Sequence, residues 1–189
     1  MIKHLYDEFA KKWYHGGTIW FYSDPHFNDP ESAYFRKNYP GDDEQVKRIN
    51  SKLGKNDTII FLGDICDTSF IKRIRGYKVL VMGNHDKGAS NYTDVFDEVY
   101  EGCLMISDKI ILSHEPVDFK YAFNIHGHDH GMAEGYNDDG HFNCCAEHIG
   151  YYPVCIKEIV NSGRLKNIPD IHRTTIDNAI VRKSKRNKK

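Results

Sequence analysis

Carboxylate, amide and imidazole side chains recur in five short clusters along this sequence, and such oxygen and nitrogen donors hold manganese, iron, zinc and similar ions. Asp24 and His26 stand two residues apart in Ser23-Asp24-Pro25-His26. Asp64 and Asp67 share Gly63-Asp64-Ile65-Cys66-Asp67. Asn84, His85 and Asp86 follow Gly83, His114 lies in Ser113-His114-Glu115-Pro116, and His126-Gly127-His128-Asp129-His130 supplies three imidazoles. Each cluster alone is a common turn. Their joint occurrence points to one convergent site.

The elements that must position these clusters are short apolar runs. Residues 18–22, 58–62, 78–82, 109–112 and 123–125 are rich in β-branched and aromatic residues and read as mostly buried strands. Every cluster directly follows one of them, at the strand edge where α/β sheets bind ligands. The glycines before Asp64, Asn84 and His128 allow sharp turns that aim the next side chain into a shared cleft. Ile2, Leu5, Phe9 and Trp13 predict a helix over 2–14; Val46, Ile49 and Leu53 predict one over 43–53; residues 68–75 predict another, closed by Gly76. Residues 98–106 and 109–112 read as a hairpin turning at Ser107-Asp108. Residues 142–145 and 154–156 read as a late strand pair followed by a weak helix, and 131–141 as a loop. Alternating strands and helices with later hairpins imply an α/β fold built on one mixed sheet or on two packed mixed β-sheets flanked by helices. With no repeat or linker, 1–189 reads as a single domain.

Composition excludes several classes. The net charge of −1 combines a −7 body with six positive charges in the last eight residues, so no general attraction to nucleic acid or membrane exists. Five irregularly spaced cysteines argue against a disulfide framework and for a reducing, cytoplasmic setting, with the cysteines as small buried hydrophobes. Neither a signal peptide nor an apolar run long enough to span a bilayer is present.

The order D-x-H, G-D-x-x-D, G-N-H-D, isolated H and G-H-x-H resembles the calcineurin-like metallophosphoesterase superfamily over about residues 18–160, particularly its small single-domain bacterial and phage members. Residues 1–17 form an N-terminal extension to this likeness and 182–189 a basic tail. The resemblance implies an αββα sandwich holding two divalent metal ions, manganese first, with iron, zinc or nickel as alternatives. It implies that Asp24, His26 and His130 hold one ion, that Asn84, His114 and His128 hold the other, and that Asp64 bridges them. A hydroxide between the ions then attacks phosphorus. His85 is implied as the group that stabilises charge or protonates the leaving oxygen, with Asp67 orienting it. Thr68 and Asp86 depart from the protein Ser/Thr phosphatase branch, which has Arg and Glu there. Asn28-Asp29 stand where small relatives often carry Gly-His, so one substrate-contacting imidazole is missing.

Other residues read more plainly. His126 is a core residue or a partner of ligands; His4, His15, His141, His148 and His172 are surface or packing residues; Arg73 and Arg75 form a solvated helix face; Asp86 and Glu115 support ligands or face solvent. The expected activity is hydrolysis of a phosphomonoester or phosphodiester, on a phosphorylated small molecule or nucleotide. A nuclease using the basic tail to contact nucleic acid is the alternative. An inactive scaffold is disfavoured because every ligand position, His85 and Asp67 are filled.

Overall fold

The computed structural model describes residues 5–131 and 137–171, together with 176, 178, 180, 181 and 183. His4, His172, part of the 131–141 loop and all of the basic tail except Lys183 lie outside these residues. In chain order the elements are α1 (Asp7–Trp13), β1 (Ile19–Tyr22), α2 (Pro30–Ala33), α3 (Asp42–Lys52), β2 (Thr58–Phe61), β3 (Tyr77–Val81), β4 (Glu98–Tyr100), β5 (Leu104–Met105), β6 (Ile110–Leu112), β7 (Phe123–His126), β8 (His141–Asn143), β9 (Val154–Cys155) and α4 (Ile156–Asn161).

Among the described residues the strands form two mixed sheets, ordered β4-β3-β2-β1-β9 and β5-β6-β7-β8. β1 to β4 run parallel, with Phe21 opposite Ile60 and Ile60 opposite Val79; β9 is antiparallel to β1. β6, β7 and β8 are parallel, and β5 is antiparallel to β6. Alternation along β2 shows how the layers are built. Ile60 and Leu62 pack with Phe21, Val79, Leu112, Phe123 and Ile125 between the sheets. Ile59 and Phe61 point the other way, onto Val46 and Ile49 of α3 and Leu53 just past its end. Both faces of β2 are therefore covered, which explains its unbroken apolar run.

Three expectations need correction. The 98–106 stretch is not one strand: β4 joins the first sheet, the chain crosses over at 101–103, and only β5 forms the hairpin with β6. β8 and β9 both exist but do not pair with each other; they belong to different sheets. The expected 68–75 helix shrinks to a 3₁₀ turn at Ile71–Arg73. Ile71 and Ile74 are buried three residues apart, the period of a 3₁₀ turn, and Phe70 stacks on Phe27 with ring centroids 5.0 Å apart.

The N-terminal extension is part of the core. Phe9 and Trp13 of α1 sit between the layers, and the Trp13 indole N–H donates to Glu98 Oε1 at 2.9 Å. Glu98 also accepts from Tyr77 Oη at 3.0 Å and from Tyr100 Oη, with Lys12 Nζ 3.6 Å away. Burial works to raise the Glu98 pKa, but these donors outweigh it and hold the carboxyl below its ordinary value. Such a depressed carboxyl contributes stability above the ordinary glutamate pKa and loses it as pH falls through the folded value. Glu98→Ala is expected to cost about 3 kcal/mol, because it strands buried donors. Glu98→Gln is expected to flatten the acid limb of the stability–pH curve, read by denaturant unfolding between neutral and acidic pH. An acid limb unchanged in Glu98→Gln would refute the assignment.

Candidate metal centre

The five clusters meet at one edge of the sandwich. Asp24 follows β1, Asp64 follows β2, Asn84 and His85 follow β3, His114 follows β6, and His128 and His130 follow β7. The sheets are joined at this edge: Ser23 bridges Cys145 in parallel, its N–H donating to Cys144 O at 3.0 Å and its carbonyl accepting from Ala146 N at 3.0 Å. Asp24 sits on that seam, fully buried.

The donor atoms fall into two groups. In the first, His26 Nε2 and His130 Nε2 are 3.2 Å apart, and His130 Nε2 lies 3.3 Å from Asp24 Oδ1. In the second, His114 Nε2 lies 2.8 Å from Asn84 Oδ1 and 3.1 Å from His128 Nδ1, which is itself 3.1 Å from Asn84 Oδ1. Asp64 Oδ2 stands between the groups, 3.5 Å from both His26 Nε2 and His114 Nε2.

Partners outside the clusters aim these atoms inward. His114 Nδ1–H donates to Leu62 O at 2.7 Å, His130 Nδ1–H to Glu147 Oε1 at 2.6 Å, and His26 Nδ1–H to Asp29 Oδ2 at 3.1 Å. Each bond leaves Nε2 as the atom turned toward the centre, the usual way a ligating imidazole is oriented. Asp24 Oδ2 accepts from Ser23 Oγ, from Cys145 Sγ at 3.2 Å and from His128 N at 2.9 Å. Asp24 Oδ1, buried, has no hydrogen-bond donor. Asp86 ties the loops together, accepting from the N–H groups of Asp64, Ile65 and Gly83 and from Tyr92 Oη.

The buried carboxylates and imidazoles of the centre shift one another's titration. Burial raises the Asp24 carboxyl, but His130, whose Nε2 lies 3.3 Å from its Oδ1, the charge of His114 and the Ser23 hydrogen bond overcome this and hold it well below the carboxylate range. Burial lowers the His130 imidazole, yet Asp24 and Glu147 push it up to about 10. Burial pushes the Asp64 carboxyl up and the His26 imidazole down. Asp24, His26 and Asp64 offer three ligand atoms within 4.8 Å of one another. Donor separations of 2.8–3.9 Å lie around the edge length, about 3.3 Å, of a tetrahedron built on bonds of about 2.0–2.1 Å. With an orphaned buried carboxylate oxygen and converging acceptors, these residues fit divalent cations. Cys145 also stands beside Asp24 and His130; burial and then Asp24 push its thiol up, and its Sγ donates to Asp24 Oδ2 at 3.2 Å.

The backbone is strained to make this geometry. Asp24, His26, Asp64 and His128 have φ of 55°, 41°, 55° and 70°, in the left-handed region that non-glycine residues rarely adopt. Of the three glycines before Asp64, Asn84 and His128, Gly63 has a positive φ, 97°; Gly83 and Gly127 are needed instead for space. A Cβ at Gly83 would lie 2.3 Å from Asp64 Oδ1, and one at Gly127 would lie 1.9 Å from Ser23 Oγ and 2.2 Å from Asp24 Oδ2. Gly127→Ala is therefore expected to displace Asp24, lowering both metal content and melting temperature. Gly102→Ala, whose Cβ meets nothing within 4 Å, is expected to stay within about 0.5 kcal/mol of the parent. Normal metal content in Gly127→Ala would contradict this geometry.

All seven expected ligands meet here. His85 lines the same cavity, its ring 5.5 Å from that of His26 and its backbone N–H donating to Asp64 Oδ1 at 3.0 Å. Asp67 does not reach it. The Asp67 carboxylate accepts from Ser69 N at 2.8 Å and Asn28 Nδ2 at 3.2 Å, and among the described residues it forms no hydrogen bond to His85. His126 is buried with its Nδ1 on Gly127 O, away from the donor groups. His15 packs on Tyr77, His148 donates to Asp129 O, and His141 is buried beside Asp138. Arg73 pairs with Asp43. Cys144, Cys145 and Cys155 are buried as expected, but Cys66 and Cys103 are exposed. Sequence reasoning missed Ser23, Asp29 and Glu147. Asp29, three residues after His26, had a readable spacing; Glu147, seventeen residues beyond His130, had none.

No helix of the described residues is long and apolar enough to cross a membrane. Comparison with curated proteins finds no match. The crystal structure of an Aquifex aeolicus protein of unknown function is similar, with a TM-score of 0.65 and 26% identity over 77% of this chain and 98% of that one. That of the Pseudomonas putida nuclease MPE matches at a TM-score of 0.45 and 20% identity, over 61% of this chain and 63% of that one. The model of the calcineurin-like phosphoesterases matches residues 17–183, which include every cluster of the centre, and the chain belongs to that family.

Proposed function

We propose that this chain, as a single metallophosphoesterase domain, hydrolyses a phosphomonoester or phosphodiester with two divalent ions. Asp24, His26 and His130 hold one, Asn84, His114 and His128 hold the other, and Asp64 is shared. The observation that carries this reading is Asp64 Oδ2, equidistant at 3.5 Å from a histidine of each group. Once bound, such a pair supplies the Lewis acidity that turns water into a nucleophile at neutral pH and neutralises charge on the phosphoryl oxygens. The protein does the rest. Glu147, Asp29 and the Leu62 carbonyl keep the Nε2 atoms of His130, His26 and His114 turned inward. His85, on the cavity wall and outside the donor groups, gives a ring proton to the leaving oxygen. Asp67 acts at one remove, holding Asn28 beside the His26 turn. Mixed imidazole and oxygen donors suit manganese, iron, zinc or nickel, and manganese is the first to test. Free cysteines suit a reducing, cytoplasmic setting.

The test is a panel of monoesters, diesters, cyclic nucleotides and single-stranded nucleic acid, assayed after chelation and again with manganese restored. Hydrolysis of at least one class, abolished by chelator and recovered with metal, is expected. A fully metal-loaded protein that cleaves nothing on the panel would overturn the proposal.

A further inference from the structure

The wall of the metal cavity carries a feature that the phosphoryl chemistry does not use. The cavity, about 310 Å³, is lined by His26, Asp64, His85, His128 and His130 on one side, and by Asp29, Glu31, Ser32 and Phe35 on the other. Phe35 is 78% exposed and its neighbour Tyr34 89%. Among the described residues no aromatic ring packs on Phe35.

This exposure is not that of a loose loop. The next residue, Arg36, is buried; its Nη1 donates to Pro25 O at 2.6 Å, its Nη2 to His26 O at 3.4 Å, and it stacks on Tyr39 at 4.1 Å. Asp29 accepts from the N–H groups of Glu31 and Ser32, capping α2, while its other oxygen holds His26 Nδ1. The segment bearing Phe35 is thus fastened to the same turn that carries Asp24 and His26. A large apolar side chain held in water beside a phosphoryl site is a surface awaiting a flat partner. The flanking groups narrow the partner. The Glu31 carboxylate, and the Ser32 hydroxyl oxygen whose own proton goes to Asp29 O at 3.1 Å, are acceptors suited to the N–H edge of a base, and the charges of Asp29 and Glu31 disfavour a second phosphate beyond the metals.

We propose that Phe35 is a specificity-determining platform on which the base of a single nucleotide unit stacks while its phosphate lies at the metals. This rests on the phosphoesterase reading above and names the substrate class for it.

The test uses the manganese-loaded protein and substrate pairs that differ only in the base: adenosine 5′-monophosphate against ribose 5-phosphate, and a dinucleotide against its abasic counterpart. Phe35→Ala is expected to lower kcat/KM for the base-bearing member about 5- to 150-fold more than for its partner, the range of base–aromatic stacking. Phe35→Tyr, which keeps the ring, should restore the preference. In parallel, calorimetric titration with adenosine 5′-monophosphate and ribose 5-phosphate should show a preference for the former that Phe35→Ala removes. Equal losses on both members, or no preference in the titration, would overturn the platform. If nothing is hydrolysed, the phosphoesterase reading fails, and the titration still decides the platform. If only base-free phosphoesters or phosphoproteins are cleaved, the platform falls and the phosphoesterase reading stands.

Discussion

Asp64→Asn is expected to empty at least one of the two metal positions and to reduce turnover by at least about 100-fold. That is a floor, since even partners outside a ligand set are worth about 10–100-fold in metal affinity or activity. Asp64 Oδ2 faces a histidine of each donor group, and the substitution replaces its shared negative charge with a neutral amide. The fold should survive, because an Asn oxygen can still accept the His85 N–H that Asp64 Oδ1 accepts at 3.0 Å. Metal content by mass spectrometry and steady-state rates report the two effects together. Two tightly held ions and near-normal turnover in Asp64→Asn would show that the carboxylate is not shared.

His85→Ala should separate chemistry from metal binding. Its ring lies on the cavity wall, 5.5 Å from the ring of His26, and takes no part in the close donor contacts of the centre. Both ions should remain while turnover falls about 10²–10⁴-fold, the usual worth of general acid catalysis. The loss should be greatest for esters of poorly acidic alcohols and smaller for activated aryl esters, whose leaving oxygen needs little protonation. Metal loss as severe as in Asp64→Asn would move His85 into the ligand set. Unchanged turnover would remove it from the chemistry.

Much of this centre was legible in the sequence because its ligands end buried strands. β1, β2, β3, β6 and β7 begin or end within a residue or two of the apolar runs that foretold them, and each delivers its cluster to one edge. Covered on both faces, such strands show as continuous hydrophobic runs. What failed was pairing. Residues 98–106 and 142–156 contain strands, but their periodicity carries no label for the sheet each joins. The supporting residues were harder still. Glu147 touches His130 only because the chain returns after β8, and the Asp67 carboxylate is taken up by Asn28 and Ser69. Chemistry-bearing residues announce themselves by type; the residues that aim them are chosen by tertiary geometry.

The seam between the sheets sets an order for the chain's assembly. β1 needs β9 as its antiparallel neighbour, with Phe21 opposite Val154, and Asp24 needs Cys145 beside it. At a synthesis rate of about 5–20 residues per second, roughly 7–27 s separate the making of Phe21 from that of Val154. During that interval β1, which carries Asp24, lacks the last strand of its own sheet. Long-range pairings of this kind fold slowly and leave apolar strands unpartnered meanwhile. Among the described residues the edge that carries the centre is complete only when the last strand, β9, has docked against the first, β1.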